Sequence, residues 1–341
     1  MISLLTMTNW LVQDKRFFLL LLLMLIVLGL SLVLGSSSYA LMDYFNLSEN
    51  ESLKKIVFQH RLPRTITALL TGIALPLSGW VLQEFFRNPL AGPSILGVTS
   101  SAGLGVAIVI VLGSSLGFGS FIFEPGLLII GALAGALLAM LLLISIAKQL
   151  SSTNAMIIVG FMIATIAGAF IEILQYFSSA KELKSYVLWG FGSLTGLSIK
   201  HLIYYAAFVL VGVFFIVKNI PSLIRMQLGE LYAQTMGVNL RSLRIQLIIA
   251  SSILAGVATA LVGPIAFIGL AVPHICRMYL KTSNFYQLFA YNMVVGVILM
   301  TGFGLLAELF PGGALPINVI TALFGAPIVL SIVFLNKNQI S

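Results

Sequence analysis

Long apolar stretches, separated by short polar segments, dominate the chain. About 20 apolar residues in a helix cross about 30 Å of hydrocarbon, and ten stretches reach that length or come close to it. They lie at about 17–41, 62–83, 94–113, 126–148, 153–177, 200–218, 242–262, 265–280, 285–307 and 316–335. The stretch at 265–280 is the weakest, because Pro264 and Pro273 interrupt it. The pattern predicts an all-α integral membrane protein with about ten transmembrane helices.

The composition agrees with this class. Of the 341 residues, 60% are hydrophobic and 8% are charged, and the mean hydropathy is +1.10. A soluble domain carries about 25% charged residues, so we interpret residues 1–341 as a single transmembrane domain. The one cysteine, Cys276, excludes an internal disulfide framework. The net charge of +8 is typical of basic cytoplasmic loops, and no basic patch interleaved with aromatics indicates nucleic-acid binding.

The Lys and Arg residues indicate the orientation in the membrane. With both termini in the cytoplasm, eleven of the 18 fall on the inner side, as expected because cytoplasmic loops carry the excess. The segment at about 219–241 is then cytoplasmic, and the segments 42–61 and 178–199 lie outside. The second outer segment is predicted to form a short interfacial helix and a loop, with Trp189 at headgroup depth.

The first apolar stretch also has features of a secretory signal peptide. Lys15 and Arg16 precede it, and GSSSYA at 35–40 is similar to a cleavage site. The apolar run from Phe17 to Leu34 is longer than the about 7–15 residues usual in a signal peptide. We therefore favour an uncleaved first helix.

Residues 221–244 form the longest polar stretch between two strongly apolar ones. Gly229 and Gly237 allow sharp breaks between short helices. Such helices suit a groove on a soluble partner, although an interfacial helix lying on lipid has the same pattern. The side chains predicted to form the apolar face of these helices are Leu228, Leu231, Met236, Val238 and Leu240.

The chain contains no Gly-Lys pair. It therefore cannot hold a nucleotide in a phosphate-binding P-loop. The energy for active transport must come from another chain or from an ion gradient.

Five separated motifs narrow the interpretation. They read RLPRTITALLTG at 61–72, QEFFRNPLAGPSILGVTSSAG at 83–103, LGELYAQTMGVNLRSLR at 228–244, GPIAFIGLAVPHICR at 263–277 and LPINVITALFGAP at 315–327. Together, and in this order, they resemble the FecCD-type permeases of binding-protein-dependent ABC importers. The resemblance extends from about residue 55 to the C-terminus.

The resemblance implies a transport protein of the bacterial inner membrane, surrounded by lipid and without enzymatic activity. Two permease subunits of ten helices each assemble with two cytoplasmic ATPases and an extracytoplasmic binding protein. The ATPases bind the ATP, so the chain itself needs no cofactor, and the permease pair can be a homodimer or a heterodimer. The family imports iron(III)-siderophores, haem and cobalamin. We expect an iron(III)-siderophore, the commonest cargo of the family, with haem or cobalamin as alternatives.

Arg61 and Arg64 are predicted at the outer start of a helix, with Pro63 in its first turn. Cations are disfavoured at a helix N-terminus, so snorkelling of the long side chains toward the interface is one explanation. The resemblance implies another, in which the two arginines dock acidic residues of the binding protein. On this hypothesis, reversing both charges abolishes import and leaves assembly intact.

The resemblance also implies that the loop at 228–241 is the coupling element, seated in a cleft of the ATPase. Closure of the ATPase pair reaches the membrane helices through such an element as a rigid-body motion. The residues assigned to this contact are Leu228, Gly229, Glu230, Met236, Gly237, Val238 and Arg241.

Glu172 is the main ionisable residue at membrane depth, and with Gln175 and Ser178 it forms a polar line. A charged side chain costs about 2.5–3.5 kcal/mol at the bilayer centre, so we expect Glu172 to face water or a partner. The resemblance implies that the line borders the translocation path; a buried hydrogen-bonded pair between helices is the alternative. The three histidines show no ligand spacing, and we expect no metal site.

The last motif departs from the family pattern. Members commonly have an acidic residue just before the proline and a glycine two residues after it, where this chain has Ala314-Leu315 and Asn318. A third docking arginine of some members has no counterpart, although Glu308 lies close by. No docking residue is therefore assigned in this motif.

Two other function classes stay open. An ion-coupled secondary transporter needs intramembrane ionisable residues, and Glu172 is the main candidate. An intramembrane enzyme needs a Ser-His, paired-Asp or metal-ligand set at membrane depth. One histidine, His274, lies at membrane depth, since His201 stands at the outer end of its span, and no aspartate does, which disfavours an enzyme.

Overall fold

The computed structural model describes residues 14–35, 51–115, 125–147, 149, 153–280, 284–311 and 313–337, which are mostly helical and contain no strand. In chain order the helices are α1 (Lys15–Val33), α2 (Glu51–Ile56), α3 (Leu62–Phe86), α4 (Val98–Ser115), α5 (Pro125–Ala147), α6 (Thr153–Tyr176), α7 (Ala180–Gly190), α8 (Ile199–Met226), α9 (Glu230–Thr235), α10 (Leu240–Val262), α11 (Ile268–Leu280), α12 (Phe285–Glu308) and α13 (Ile317–Lys337). A π-helical turn (Val57–Arg61) joins α2 to α3, and a 3₁₀ turn (Pro93–Leu96) precedes α4.

Each of the ten apolar stretches of the sequence corresponds to one of these helices. Among the described residues, seven helices are long and apolar enough to cross a membrane, with α2 and α3 forming one continuous helix. The remaining apolar helices are α4, α11 and α13. A short helix, α7, lies within 178–199, and it begins with a capping box between Ser179 and Glu182. Its predicted position at the membrane interface stays a prediction.

Two predicted helix ends are wrong. Helix α8 does not end at 218 but continues to Met226 through Pro221. The side chains of Ile220, Leu223 and Met226 are buried, and this packing outweighs the hydrogen bond that a proline removes from a helix. Helix α1 ends at Val33 rather than at 41. Most of the candidate cleavage sequence at 35–40, and residues 42–50 of the predicted outer segment, lie outside the described residues.

Helix α3 lies at the centre of the bundle and packs against α8, α10, α11 and α12. In its most apolar stretch 83% of the residues are buried, compared with 6% in that of α1 and 11% in that of α6. The peripheral helices therefore expose large apolar side chains, such as Phe161 and Phe170 of α6 and Phe214 of α8. Such surfaces are unfavourable in water, where exposed apolar area raises the free energy, and are stable in lipid.

Polar side chains inside the bundle find partners within it. The hydroxyls of Ser78 and Ser251 lie 2.7 Å apart, and the hydroxyl of Tyr205 donates to Thr71 Oγ1 at 3.0 Å. Both contacts join α3 to a neighbouring helix. Since hydrocarbon offers no competing partners, they help to determine which helices lie beside α3.

Two glycines allow other helices to approach α3 closely. A Cβ on Gly79 would lie 1.7 Å from the carbonyl oxygen of Gly269 in α11, and one on Gly72 would lie 2.6 Å from that of Gly296 in α12. No residue larger than glycine fits at such a distance. Small residues of this kind support helix association in lipid, where backbones must come close to gain packing energy.

The connection between α10 and α11 at 263–267 is not helical. Phe267 has a φ of 66°, and a Cβ on Gly325 of α13 would lie 2.4 Å from the Cβ of Phe267. The side chain of Asn318 accepts a hydrogen bond from the backbone N–H of Ala266 at 3.1 Å. Asn318, which departs from the family pattern, therefore satisfies a backbone group that the break leaves without a helical partner.

Replacing Gly79 by Ala is expected to lower the stability of the purified protein. The added methyl group overlaps the backbone of α11, and overpacking of this kind costs about 1–3 kcal/mol. Thermal unfolding in detergent measures the effect. Gly302→Ala is the matched control, since a Cβ there meets nothing within 4 Å. Equal stability of the two variants would contradict the close contact between α3 and α11.

Candidate functional site

The coupling segment, defined as residues 228–241, joins α8 to α10 and contains α9. Gly229 and Gly237 lie on either side of α9 with φ angles of 114° and 81°, which residues with a side chain rarely adopt. A Cβ on either glycine would meet nothing within 4 Å. The backbone conformation, rather than lack of space, therefore requires glycine, and the predicted breaks at both positions are confirmed.

Large apolar side chains of the coupling segment are exposed. Leu231 is 79% exposed, Leu228 65% and Met236 50%, and Tyr232 of α9 is also exposed. Glu230 and Arg241 are exposed beside them. A compact apolar patch rimmed by charges is typical of a surface that binds another protein.

The predicted apolar face is wrong for Val238. Its side chain is buried in the hydrophobic core together with Ala233, and its N–H donates to the carbonyl oxygen of Ala233 at 2.9 Å. A six-residue helix is unstable by itself, so it must bury one face against the bundle. Val238 and Ala233 supply that face, and Leu240 is half-buried.

A polar cluster, which we call the Glu84 junction, lies where α8 leads into the coupling segment. The junction consists of Gln83, Glu84, Arg87, Gln227 and Arg277. Glu84 Oε1 lies 3.1 Å from Arg277 Nη2, and Glu84 Oε2 accepts a hydrogen bond from Gln227 Nε2 at 3.3 Å. Arg277 Nη2 also donates to Gln83 Oε1 at 2.9 Å, and Arg87 donates to the carbonyl oxygen of Met226.

The sequence did not predict this junction. Of its members, Arg87 and Arg277 belong to the Lys and Arg residues counted on the inner side. The available signal was that Glu84, Arg87 and Arg277 stand at the ends of apolar stretches, where a charged side chain can reach a neighbouring helix end. Nothing in the sequence pairs Glu84 with Gln227 or Arg277, because these residues belong to segments far apart along the chain.

A second cluster, which we call the outer charge cluster, lies at the opposite end of α3 and consists of Arg61, Arg64 and Glu308. Arg61 and Arg64 are 3% and 4% exposed, and Arg64 forms an ion pair with Glu308 at the end of α12.

Both arginines of this cluster hold the end of α1. Arg61 donates to the carbonyl oxygens of Leu32 and Val33, and Arg64 donates to the carbonyl oxygen of Leu34 at 3.1 Å. The last carbonyl groups of a helix have no partner within the helix, and cations are favourable near them.

The prediction that these arginines stand at a helix N-terminus is wrong, because the helical backbone of α2 and the π-helical turn already precede them from Glu51 onward. Pro63 is tolerated because the π-helical turn precedes it, with the N–H of Leu62 bonded to Val57. Neither arginine lies on the surface of this chain. Their docking to a binding protein stays a prediction, while a role in holding α1 follows directly from their contacts.

Glu172 is exposed on α6, whereas Gln175 and Ser178 are half-buried. Ser178 follows the end of α6, and its hydroxyl donates to the carbonyl oxygen of Gln175 at 2.8 Å. The alternative of a buried pair between helices is therefore wrong for Glu172. A pore-lining role for the three residues stays a prediction.

Metal ligation has no candidate in the part of the chain that the structure describes. No group of three or more His, Cys, Asp or Glu side chains there could hold an ion. His201 is instead placed with its Nδ1 3.0 Å from the hydroxyl of Ser198.

Comparison with known proteins identifies the family. Residues 21–335 match the FecCD transport family. The chain belongs to this family. The hemin transport system permease protein HmuU of Yersinia pestis is 32% identical over 327 residues, which cover 94% of this chain and 96% of that protein. The vitamin B12 import system permease protein BtuC of Citrobacter koseri is 34% identical over 313 residues, which cover 90% of each.

A solved structure confirms the fold of this FecCD family member. It shows an inward-facing conformation of a metal-chelate type ABC transporter and superposes with a TM-score of 0.83 at 30% identity. The match covers 94% of this chain and 99% of the other chain.

As a FecCD family member, the chain is a multi-pass membrane protein and the permease subunit of an ABC importer. It is a transport component rather than an enzyme. The family as a whole works with a partner permease subunit, an ATPase and a binding protein. The alternatives of an ion-coupled secondary transporter and an intramembrane enzyme are therefore wrong.

Neutralising Arg64 is expected to lower the stability of the folded protein, and not only to weaken docking to a binding protein. Arg64→Gln removes the ion pair that joins α3 to the end of α12, and breaking a buried pair costs about 3–5 kcal/mol. The loss of stability should lie at the lower end of this range, because the Glu308 side chain is 21% exposed. Thermal unfolding in detergent checks this, with exposed Lys55→Gln as the control.

The double variant Arg64→Gln with Glu308→Gln should recover part of the loss, since both members of the ion pair are then neutral. Equal stability of Arg64→Gln and the unmodified protein would contradict the structural role. The earlier expectation that charge reversal leaves assembly intact no longer holds, because reversal places acidic side chains beside Glu308.

Proposed function

We propose that this chain is the membrane-spanning subunit of a bacterial inner-membrane importer for a metal chelate, driven by a separate cytoplasmic ATPase. The observation that carries the proposal is the coupling segment. It presents Leu228, Leu231 and Met236 outward on a backbone whose shape is set by Gly229 and Gly237. Exposed apolar side chains on a short, anchored helix fit a cleft on a soluble protein.

The proposed topology has ten membrane-spanning helices in one domain, with both termini in the cytoplasm. The seven helices that are long and apolar enough to cross a membrane, together with the apolar helices α4, α11 and α13, support the number. The excess of Lys and Arg on the side of the coupling segment supports the orientation. On this topology the Glu84 junction is cytoplasmic and the outer charge cluster faces the extracytoplasmic side.

The proposed assembly contains two permease subunits, two ATPases that bind the ATP, and a substrate-binding protein. The uncovered apolar face of α6, with Phe161 and Phe170 exposed, supports contact with a second permease subunit or with lipid. Because Glu172 is exposed on the same helix, we propose that α6 borders the translocation path between the two subunits.

The binding protein is proposed to dock at the end of the bundle that carries the outer charge cluster. Arg61 and Arg64 are buried there, whereas Lys54 and Lys55 of α2 are exposed. Exposed cations at this end favour a partner with an acidic docking face.

The proposed cargo is an iron(III)-siderophore, with haem and cobalamin as alternatives. All three are metal chelates, and the solved relative is described as a metal-chelate type transporter. The names of two relatives, a hemin permease and a vitamin B12 permease, support the two alternatives specifically.

Gly237→Arg is expected to separate ATP hydrolysis from import. The φ of 81° disfavours a side chain, so the coupling segment must change shape, whereas the open space around the Cβ spares the bundle. The complex should retain ATP hydrolysis and lose import about tenfold, a coupling loss within the usual range. Hydrolysis and uptake measured in the same proteoliposomes test this.

Gly196→Arg is the matched control for Gly237→Arg. Gly196 also has a positive φ, of 89°, and open space at its Cβ, but it lies between α7 and α8, outside the coupling segment. The control should keep the ATPase bound and active. Normal import per ATP hydrolysed in Gly237→Arg would argue against the assignment of the coupling segment.

Uptake into proteoliposomes that contain the complete importer distinguishes the three cargoes. We expect ATP-dependent uptake of a ferric hydroxamate siderophore, exceeding that of haemin and cyanocobalamin by about tenfold or more, because one added contact of about 1.4 kcal/mol already gives that ratio. Preferred uptake of haemin or cyanocobalamin would select that alternative. Uptake of none of the three would contradict a metal-chelate importer.

A further inference from the structure

Three helices meet at one carboxylate next to the coupling segment. Glu84 lies in the last turn of α3, Arg277 lies in the last turn of α11, and Gln227 directly follows α8. Each of the two partners reaches a different oxygen, Arg277 the Oε1 and Gln227 the Oε2. The indole N–H of Trp80 also donates to Oε1 at 3.1 Å, which fixes the orientation of the carboxylate.

Helices α3 and α11 form one packed unit at this end of the bundle. The backbone of Gly269 touches Gly79, the amide of Gln83 lies 3.4 Å from the carbonyl oxygens of Gly269 and Leu270, and Arg277 donates to Gln83. Such close packing resists relative displacement of the two helices. We therefore expect α3 and α11 to move together.

Two hydrogen bonds connect this unit to the residues that lead into the coupling segment. Arg87 donates to the carbonyl oxygen of Met226, and Gln227 donates to Glu84. Met226 and Gln227 immediately precede Leu228, so a displacement of the coupling segment pulls on these two bonds first.

In the hydrogen bond between Gln227 and Glu84, the Glu84 side chain is held in place, whereas the Gln227 side chain can move. The Glu84 side chain is 12% exposed and is held by Arg277, whereas Gln227 is exposed. Their donor–acceptor distance is 3.3 Å. Because Gln227 is exposed and Glu84 is held, a displacement of the coupling segment changes this distance by moving Gln227.

The charge of Glu84 balances Arg277. Glu84, Arg87, Gln227 and Arg277 line one cavity of 400 Å³, on which Glu84 is the single carboxylate. Arg277 is 28% exposed and pairs with Glu84 at 3.1 Å, so without the negative charge of Glu84 a partly buried cation loses this partner.

We propose that Glu84 is a positioning residue for coupling: it holds Gln227 and Arg277 at one point, so that movement of the coupling segment is passed to α3 and α11. This inference rests on the proposed function, in which the coupling segment contacts the ATPase. Nothing in the proposed function itself requires this route, since α8 and α10 also continue directly from the segment.

Glu84→Gln tests the inference in the complete importer. The amide keeps the shape of the side chain and removes its charge. We expect the amount of co-purified ATPase and the rate of ATP hydrolysis to stay within about twofold, because Glu84 is not part of the exposed patch. Uptake per ATP hydrolysed should fall by about 2- to 30-fold, the range seen for residues that carry coupling. The transported probe is whichever of the ferric hydroxamate siderophore, haemin and cyanocobalamin the unmodified importer takes up.

Two further variants separate a positioning role from a structural one. Glu51→Gln makes the same chemical change at an exposed carboxylate in the first turn of α2 and should leave uptake per ATP unchanged. Combining Glu84→Gln with Gln227→Glu exchanges the carboxylate and the amide across the 3.3 Å contact. The exchange should restore at least about half of the lost uptake, since the hydrogen bond is regained and the cavity that Arg277 lines again contains one carboxylate.

Unchanged uptake per ATP in Glu84→Gln would overturn the inference. Loss of ATPase binding or of the folded protein in this variant would also overturn it, because Glu84 would then be a structural residue. A failure of the proposed function itself gives a different experimental result. In that case the unmodified protein neither retains an ATPase nor takes up any of the three chelates.

Discussion

The structure depends on the close backbone contacts of α3 with α11 and α12. Gly79 meets Gly269 and Gly72 meets Gly296 at distances that exclude any side chain. In lipid the hydrophobic effect does not drive helices together, so packing at such contacts supplies much of the association energy. Because α3 has 25 residues, it forms a rigid element about 37 Å long, and the two charged clusters lie at its two ends.

Both charged clusters use arginine to satisfy a helix C-terminus. At one end, Arg61 and Arg64 donate to the final carbonyl groups of α1, and at the other, Arg87 donates to Met226 at the end of α8. Arginine suits this task because its planar group carries several donors in fixed directions. A cation also interacts favourably with the negative end of the helix dipole. The arginines therefore attach peripheral helices to the central one.

The coupling segment combines a fixed backbone with an exposed surface. Ala233 and Val238 hold it against the bundle, and Gly229 and Gly237 set its turns. Helix α9 has only six residues, too few for stability in isolation. Its position is therefore determined by α8, α10 and the Glu84 junction. In the function proposed above, the exposed side chains of this anchored segment contact the ATPase.

The sequence by itself determined the apolar helices, the breaks at Gly229 and Gly237, and the family. Hydropathy, the positions of glycines and the order of motifs can all be read directly along the chain. It did not predict the burial of Arg61 and Arg64, the inward side chain of Val238, or the continuation of α8 to Met226. Only the tertiary structure decided these, since each depends on which helices become neighbours. Glu84 and Gln227 are 143 residues apart, and no pattern along the chain pairs them; the packing around α3 brings them together.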